Sequence, residues 1–146
     1  MGVKAVALDL DNTTVNDASF RLPEQIRRWI KRVQAAGIQV IIVSNTVTPR
    51  AWFLSKKMGG VPFVANARKP RTKALYRAAR KLNLHPSEIA MIGDQLFTDV
   101  LVANRVGAIS VKVDPIGRDK FTPKKYEEIR RREREYIQKC IVPNGT

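Results

Sequence analysis

Short apolar runs alternate along the chain with longer stretches in which apolar residues recur every three or four positions. The short runs predict strands at residues 3–8, 38–43, 61–65, 89–92 and 108–113. The longer stretches predict helices at residues 23–36, 49–58, 72–82 and 98–106, followed by a charged helix at about 123–139. Because strands and helices alternate with short connections, we expect a parallel sheet that is covered by helices on both faces.

The strand-forming runs show no alternation of apolar and polar residues, which is typical of strands that are buried on both faces. The predicted fold class is therefore α/β, a three-layer doubly wound parallel sheet. The length of 146 residues suits one domain that spans residues 1–146. Residues 15–22, after the first strand, are too few to form a second domain, so we expect no cap domain.

Positive charge is unevenly distributed along the chain. The sequence contains 27 Lys and Arg residues against 13 Asp and Glu residues, a net charge of +14. Between Glu24 and Glu88 there are fourteen basic residues and no acidic residue, so this stretch alone accounts for the excess. Such a charge attracts nucleic acid, anionic lipid or phosphorylated small molecules, although a basic protein without a polyanionic partner is the alternative.

Nothing in the sequence resembles a signal peptide, and the apolar run at residues 38–43 is far shorter than the roughly 20 residues of a membrane span. We therefore predict a cytoplasmic protein. One segment suits contact with a membrane surface: the apolar trio Trp52, Phe53 and Leu54 lies beside the bases Arg50, Lys56 and Lys57. The alternative for the trio is ordinary packing against the sheet.

Polar residues follow the predicted strands at the points where the strands end. They are Asp9 and Asp11, then Ser44 and Asn45, then Lys69, and finally Asp94 and Asp99. Ligands of open α/β sheets bind at this edge. Several carboxylates can converge there only with a counter-charge, which Mg²⁺ supplies, while a lysine and a serine can hold a phosphate. The combination predicts phosphoryl transfer.

Each piece alone has an ordinary alternative. The aspartates can be turn residues or helix caps, the Ser44–Asn45 pair can be a turn, and Lys69 can be a surface base. The pattern D-x-D-x-T also opens calcium-binding loops, but here Thr14 occupies the glycine position and Phe20 the closing glutamate position. The ordered occurrence at successive strand ends favours a site.

Four motifs carry a family resemblance: DLDNT at residues 9–13, VSNT at 43–46, ARKP at 67–70 and GDQLFTD at 93–99. In this order they resemble the signatures of the haloacid dehalogenase (HAD) superfamily of phosphohydrolases. On a short chain without a cap, they are similar to the YqeG-type subfamily, which resembles the phosphatidylglycerophosphate (PGP) phosphatases of mitochondria and plastids. Thr14, where many members carry an apolar residue, departs from the pattern at a position that is not catalytic.

The resemblance implies a role for each acid. Asp9 would attack phosphorus and form an aspartyl-phosphate, and Asp11 would protonate the leaving oxygen and then deprotonate water. The metal site would be formed by Asp9, Asp11 through its backbone carbonyl, and Asp94, with Asp99 as a ligand or as support; the expected ion is Mg²⁺.

The resemblance also implies that Ser44 and Lys69 hold the phosphoryl oxygens, together with the backbone N–H of Asn45. The predicted function is a Mg²⁺-dependent phosphomonoester hydrolase, foremost a PGP phosphatase of phospholipid synthesis. Alternatives are a phosphatase for soluble metabolites or nucleotides, and a basic nucleic-acid-binding protein, which the lack of an aromatic stacking platform disfavours. The expected partners are a phosphorylated substrate such as a lipid head group and the anionic inner face of a membrane. The sequence specifies no oligomeric state.

Overall fold

Five parallel strands form the centre of the computed structural model, which describes residues 2–116 and 123–141. The strands are β1 (Ala5–Leu8), β2 (Gln39–Val43), β3 (Phe63–Val64), β4 (Ile89–Gly93) and β5 (Ile109–Lys112). Their order is β3–β2–β1–β4–β5, and Leu8 at the end of β1 is paired with Ile42 and Ile92. The strand order reverses beside β1, so the carboxyl ends of β1, β2 and β4 frame the crevice in which such sheets bind ligands.

The helices lie where the sequence predicts them. They are α1 (Glu24–Ala35), α2 (Thr48–Lys57), α3 (Lys73–Leu82), α4 (Leu101–Val106) and α5 (Pro123–Tyr136). Three short turns complete the described elements: a 3₁₀ turn at Pro86–Glu88 and π-helical turns at Leu96–Val100 and Ile137–Ile141. The predicted helix at residues 98–106 therefore begins within a π-helical turn.

Two apolar clusters, one on each face of the sheet, form the core. On one face Ala7 and Ile41 pack with residues of α3 and α4, among them the fully buried Leu75. On the other face Leu8 packs with residues of α1 and α2, including the buried Ile30 and Leu54. This arrangement confirms the three-layer fold with a doubly wound parallel sheet.

Burial corrects one expectation about the aromatic segment of α2. Leu54 is fully buried and Arg50 is 7% exposed, so neither contributes to a surface contact as the sequence had suggested. Both side chains lie on the inner side of α2, where Leu54 packs in the core and Arg50 approaches the strand ends. Trp52 and Phe53 remain exposed.

The connection from β1 to α1 consists of residues 9–23, and no cap domain is evident in the described part of the chain. None of the helices that the structure describes is both long and apolar enough to cross a bilayer.

Candidate active site

A cavity of about 290 Å³ opens at the carboxyl edge of the sheet. Its lining includes six of the seven side chains that the sequence predicts for a site: Asp9, Asp11, Ser44, Asn45, Lys69 and Asp99. The seventh, Asp94, is buried beside them and belongs to the same group of carboxylates. The fold thus brings together residues that lie up to 90 positions apart (99 − 9 = 90).

Three of these carboxylates form a buried cluster. One oxygen from each of Asp9, Asp94 and Asp99 lies within 4.8 Å of the others. Lys69 joins two of them, because its Nζ atom lies 3.0 Å from Asp9 Oδ1 and 2.6 Å from Asp99 Oδ1. The hydroxyl of Thr13 lies 3.1 Å from Asp94 Oδ1 and 3.3 Å from Asp9 Oδ2, so it bridges Asp9 and Asp94.

Burial and charge within the cluster change the pKa values of Asp9 and Lys69. Burial raises the pKa of Asp9 to about 8; the charge of Lys69 opposes this shift, and Asp99 and Asp94 add to it. Burial alone would lower the pKa of Lys69, but Asp9 and Asp99 outweigh that effect and hold it above its usual range. Lys69 is therefore a permanent cation, whereas the charge of Asp9 depends on its surroundings.

Helix α5 supplies a second cation to the cluster. The guanidinium of Arg130 donates to the Asp94 carboxylate through Nη2 and to the Asp94 backbone carbonyl through Nη1, the latter at 3.1 Å. Glu133, one turn later, accepts a hydrogen bond of 3.2 Å from the backbone N–H of Leu96, and burial raises the pKa of Glu133. The sequence suggested only a mixed-charge helix here, and no motif singled out Arg130 or Glu133.

The donor set of the cluster fits a hard divalent cation. All three candidate ligands are carboxylates, the oxygen donors that Mg²⁺ prefers, and neither histidine nor cysteine accompanies them among the described residues. When Asp9 is ionised, the carboxylates of Asp9, Asp94 and Asp99 carry more negative charge than Lys69 and Arg130 balance, and Arg130 is shared with Glu133. A divalent cation would balance that charge and attract a phosphate to the cavity.

Asp11 lies apart from this cluster, in a second ion pair. Its carboxylate accepts a hydrogen bond of 3.0 Å from Arg50 Nη1 and one of 2.8 Å from the backbone N–H of Ala18, and its Oδ1 atom forms an ion pair of 2.8 Å with Arg50 Nη2. Arg50 is itself fixed by the backbone carbonyl of Ser19 at 2.8 Å. The sequence did not indicate Arg50 as the partner of Asp11. The one sequence feature that marks Arg50 is its position as a base in the first turn of the helix that follows the VSNT motif.

Ser44 and Asn45 connect β2 to the loop that carries Lys69. Asn45 Oδ1 accepts a hydrogen bond of 2.8 Å from the backbone N–H of Lys69, and Asn45 Nδ2 donates to the Lys69 carbonyl at 3.4 Å. Ser44 Oγ accepts one of 3.1 Å from the backbone N–H of Thr46. The side chain of Asn45 therefore fixes the backbone of Lys69, a role that the sequence did not suggest.

Gly93 explains why a glycine opens the GDQLFTD motif. A Cβ atom at this position would lie 2.1 Å from Asp99 Cγ and 2.4 Å from Asp99 Cβ, far inside van der Waals contact. The close approach lets Asp99 Oδ2 accept a hydrogen bond of 3.1 Å from the backbone N–H of Gln95. Only glycine leaves room for the Asp99 side chain in this position.

Comparisons with known proteins agree with this geometry. The family model for the mitochondrial PGP phosphatase matches residues 1–116. The chain is 37% identical over 131 residues to the probable phosphatase YqeG of Bacillus subtilis, which covers 89% of this chain and 76% of that protein. It is 31% identical over 121 residues to the mitochondrial phosphatidylglycerophosphatase of Saccharomyces cerevisiae, which covers 75% of this chain and 65% of that protein.

Solved structures share the fold. The cobalt-bound deoxy-D-mannose-octulosonate 8-phosphate phosphatase of Haemophilus influenzae superimposes with a TM-score of 0.59 at 21% identity, over 79% of this chain and 72% of that one. A Legionella pneumophila protein assigned to subfamily III A of the HAD superfamily gives a TM-score of 0.56 at 22% identity, over 76% and 66% of the two chains. At these identities the likeness concerns the fold alone.

Proposed function

We propose a reaction for this chain on the basis of its family, since it belongs to the mitochondrial PGP phosphatase family and is a phosphatase of the HAD type. The reaction is the hydrolysis of a phosphomonoester through an aspartyl-phosphate on Asp9. One observation carries this proposal: Lys69 joins Asp9 to Asp99 inside a buried cluster of carboxylates at the carboxyl edge of the sheet. In this arrangement the proposed nucleophile, Asp9, would act next to a fixed positive charge.

In the proposed first step, a carboxylate oxygen of Asp9 forms a bond to phosphorus while the bond from phosphorus to the ester oxygen breaks. The leaving oxygen takes a proton from Asp11, which lines the same cavity. In the second step Asp11 takes a proton from water, the water oxygen bonds to phosphorus, and the bond to Asp9 breaks. Lys69 and Ser44 hold the phosphoryl oxygens in both steps.

The proposed cofactor is Mg²⁺, held by the carboxylates of Asp9 and Asp94 and the backbone carbonyl of Asp11, with Asp99 as a ligand or as support. When bound, it would neutralise charge on the phosphoryl group and reduce its repulsion by the nucleophile. A neighbour of the same fold is cobalt-bound, which supports a divalent cation in this type of site. Lys69 remains charged throughout and keeps the Asp9 oxygen oriented toward the cavity.

The proposed substrate is phosphatidylglycerophosphate. The matching family model and the yeast relative are both described by this activity. The cavity opens directly at the edge of the sheet, and no cap domain is evident among the described residues to exclude a lipid head group. A phosphatase for soluble phosphorylated metabolites or nucleotides remains the second candidate, and the same open cavity would admit those substrates.

A surface beside the cavity supports a lipid substrate. We call the exposed side chains of Phe20, Val47, Trp52 and Phe53, together with Lys56 and Lys57, the interfacial patch. Two groups of contacts lie within it: the rings of Phe20 and Phe53 lie 5.4 Å apart with Lys57 Nζ 5.0 Å from the Phe53 ring, and Lys56 Nζ lies 5.6 Å from the Trp52 ring.

The interfacial patch is next to the proposed general acid, because Arg50, the partner of Asp11, lies 5.8 Å from the Phe20 ring. Aromatic and basic side chains on one surface are suited to the interface of an anionic membrane, where each base contributes about 1 kcal/mol. We therefore propose a cytoplasmic enzyme that binds peripherally to the inner membrane face. Co-sedimentation with phosphatidylglycerol vesicles at physiological salt tests this, and no co-sedimentation would contradict it.

The decisive experiment for the reaction is phosphate release from a panel that contains phosphatidylglycerophosphate, soluble sugar phosphates and nucleotides, with Mg²⁺ or with EDTA. We expect Mg²⁺-dependent release that Asp9→Asn abolishes and that the exposed-residue control Asp114→Asn retains. Lys69→Ala should lose about a hundredfold or more in kcat, as expected for the loss of an electrostatic contact to the transition state. Preference for a soluble phosphate over phosphatidylglycerophosphate would favour the second candidate. Release that Asp9→Asn leaves intact would refute the mechanism.

A further inference from the structure

A second cavity shares the loop that carries Lys69. Its volume is about 330 Å³, and its lining includes residues 64–67 and the four bases Arg68, Arg71, Lys73 and Arg77, without any acidic residue. Arg68 lines this cavity and Lys69 lines the active-site cavity. Because Arg68 and Lys69 are consecutive, with Cα atoms about 3.8 Å apart, one loop forms part of both linings. We call this second space the basic cavity.

The four bases of the basic cavity are exposed, and none of them forms an ion pair with a carboxylate that the structure describes. No carboxylate within residues 2–116 and 123–141 lies at salt-bridge distance from any of them. Bases elsewhere in the same acid-free stretch differ, since Arg27 and Arg28 pair with Glu24 and Arg50 pairs with Asp11. Four unpaired positive charges around one concave surface repel one another, and an anion that enters the cavity relieves this repulsion.

The walls of the basic cavity are held in place by the active site. The backbone N–H groups of Asn66 and Ala67 donate to the carbonyls of Thr46 and Ser44, at 2.8 and 2.9 Å. Helix α3 begins in the lining at Lys73, and no side chain caps its N-terminus, so the positive end of its dipole adds to the field of the bases. The basic cavity therefore keeps a fixed position relative to Lys69.

We propose that the basic cavity binds a second phosphate group of the substrate, so that the enzyme selects phosphomonoesters that carry a phosphodiester nearby. The inference rests on the proposed function, because phosphatidylglycerophosphate carries such a phosphodiester across a glycerol unit from the reacting phosphate. Arginine is suited to this role, since its planar guanidinium donates two parallel hydrogen bonds to phosphate oxygens. The reacting phosphate lies at Lys69 and the phosphodiester lies among Arg68, Arg71 and Arg77.

The test compares two variants with equal loss of charge. The double variant Arg71→Gln/Arg77→Gln removes two bases from the basic cavity, and Arg80→Gln/Lys81→Gln removes two exposed bases of α3 that lie outside its lining. Substrates are water-soluble dihexanoyl phosphatidylglycerophosphate, which has both phosphates, and glycerol 3-phosphate, which has only the reacting one. We expect the cavity variant to lose at least tenfold in kcat/KM for the first substrate and less than twofold for the second. The control variant should lose less than twofold for both.

Binding gives a readout that does not depend on turnover. On an Asp9→Asn background, which lacks the nucleophile, the cavity variant should bind dihexanoyl phosphatidylglycerophosphate at least tenfold more weakly than the control variant, equivalent to ~1.4 kcal/mol. Equal binding, or no binding by the Asp9→Asn protein, would overturn the inference. So would an equal loss on both substrates, which would place the bases in the reacting-phosphate site or in the fold.

Vesicle binding distinguishes a phosphate group of the substrate from a phosphate group of the surrounding membrane lipid. If the cavity variant binds phosphatidylglycerol vesicles more weakly but handles the soluble substrates normally, the cavity binds membrane lipid and the inference is wrong. The failure of the proposed function is recognised separately, because wild-type protein would then release no phosphate from dihexanoyl phosphatidylglycerophosphate even though the Asp9→Asn protein binds it.

Discussion

Asp9 is the residue whose charge state the cluster controls most strongly. Its pKa of about 8 means that, without a cation, it keeps a proton at neutral pH, whereas in the unfolded chain it would lose that proton near 3.8. A raised folded-state pKa stabilises the fold below the unfolded value, and this contribution is lost as pH rises from 3.8 to about 8. A divalent cation bound by the cluster, as we propose, would take the place of this proton.

We therefore expect Mg²⁺ binding to release about one proton per site near pH 6.5 and almost none above about pH 9.5. Titration calorimetry in two buffers of different ionisation enthalpy measures the number of protons released. The Asp9→Asn protein, which has no carboxylate to deprotonate, should release none at either pH. Proton release that is independent of pH would show that Asp9 is ionised before the cation binds.

Substitution of Gly93 should cause a steric overlap within the same cluster. In Gly93→Ala the new methyl group overlaps Asp99, and since the Cβ atom of Asp99 is among the overlapping atoms, the side chain cannot avoid it by rotation alone. We expect a loss of about 1–3 kcal/mol in the free energy of unfolding, typical of overpacking, and weaker Mg²⁺ binding. Denaturant unfolding measures the first effect. Gly2→Ala, whose new Cβ atom meets no heavy atom within 4 Å, is the control.

Substitution of Arg50 should affect the proton transfer that we propose for Asp11. Because the guanidinium of Arg50 contacts both oxygens of Asp11, Arg50→Ala should lower kcat about ten- to a hundredfold on a soluble substrate through misplacement of Asp11, the proposed general acid. Arg50→Lys should recover part of the rate, since it keeps the charge without the planar guanidinium that reaches both oxygens. The loss with Arg50→Ala should appear in kcat rather than in KM, and Lys57→Ala, a control on the same helix, should leave both values unchanged on the soluble substrate. A loss confined to KM would contradict the assignment.

Residues at strand ends were predictable from the sequence because the edge of a parallel sheet gathers them irrespective of their separation along the chain. Asp9, Lys69 and Asp99 were found in this way. Arg50 and Arg130 were not, because each lies on a helix where a base is ordinarily a surface residue, and only tertiary packing shows that it faces a carboxylate. Interactions between helix and strand end leave no local pattern in the sequence.

Helix α5 was predicted as an element, but its contact with the active site was not. Its mixed charges are typical of a solvated helix, and Arg131 conforms to this, since it pairs with Glu128 and Glu135 on the exposed side. Arg130 and Glu133 lie on the opposite side and bond to Asp94 and to the backbone of Leu96. Strand β3 was also predicted only in part. A strand was expected at residues 61–65, but only two of these five residues pair with β2.

The contact of α5 predicts competition between Arg130 and the cation for Asp94. The guanidinium occupies one oxygen of a carboxylate that we assign to the metal, so Arg130→Gln should tighten Mg²⁺ binding several-fold when measured by calorimetry. Arg131→Gln, which removes an equal charge from the exposed side of α5, should leave the affinity within about twofold because exposed pairs contribute little. Weaker binding by Arg130→Gln would show instead that Arg130 positions Asp94 for the metal.

At the scale of the whole molecule, the fourteen bases of the acid-free stretch are divided among α1, α2, α3 and the loop after β3. The distribution was readable from the sequence, whereas its relation to the site was not. The four bases of the basic cavity line a space that shares a loop with the active site, whereas Lys56 and Lys57 lie in the last turn of α2, against the aromatic rings of the interfacial patch. Both groups add to a positive field that would attract an anionic lipid and its phosphates.

This arrangement predicts how the protein binds a membrane. Trp52 is 53% exposed within the interfacial patch, whereas Trp29, the other tryptophan, packs against the core. In a Trp29→Phe protein, fluorescence therefore reports on Trp52 alone, and we expect a blue shift when phosphatidylglycerol vesicles are added, since the indole enters a less polar environment. Phosphatidylcholine vesicles, which lack net charge, should produce little shift.

The salt dependence of vesicle binding separates the contribution of the basic side chains from that of the apolar contact through Trp52. Because the bases act through a screened field, vesicle affinity should fall as ionic strength rises from about 0.05 to 0.5 M, over which the Debye length shortens severalfold. Lys56→Gln/Lys57→Gln should weaken binding and reduce this salt dependence, while Trp52→Ala should weaken binding and leave the salt dependence unchanged, since it removes apolar contact rather than charge. If Trp52 shows the same spectrum with and without anionic vesicles, the interfacial patch does not face the membrane, and the substrate must reach the active site by another surface.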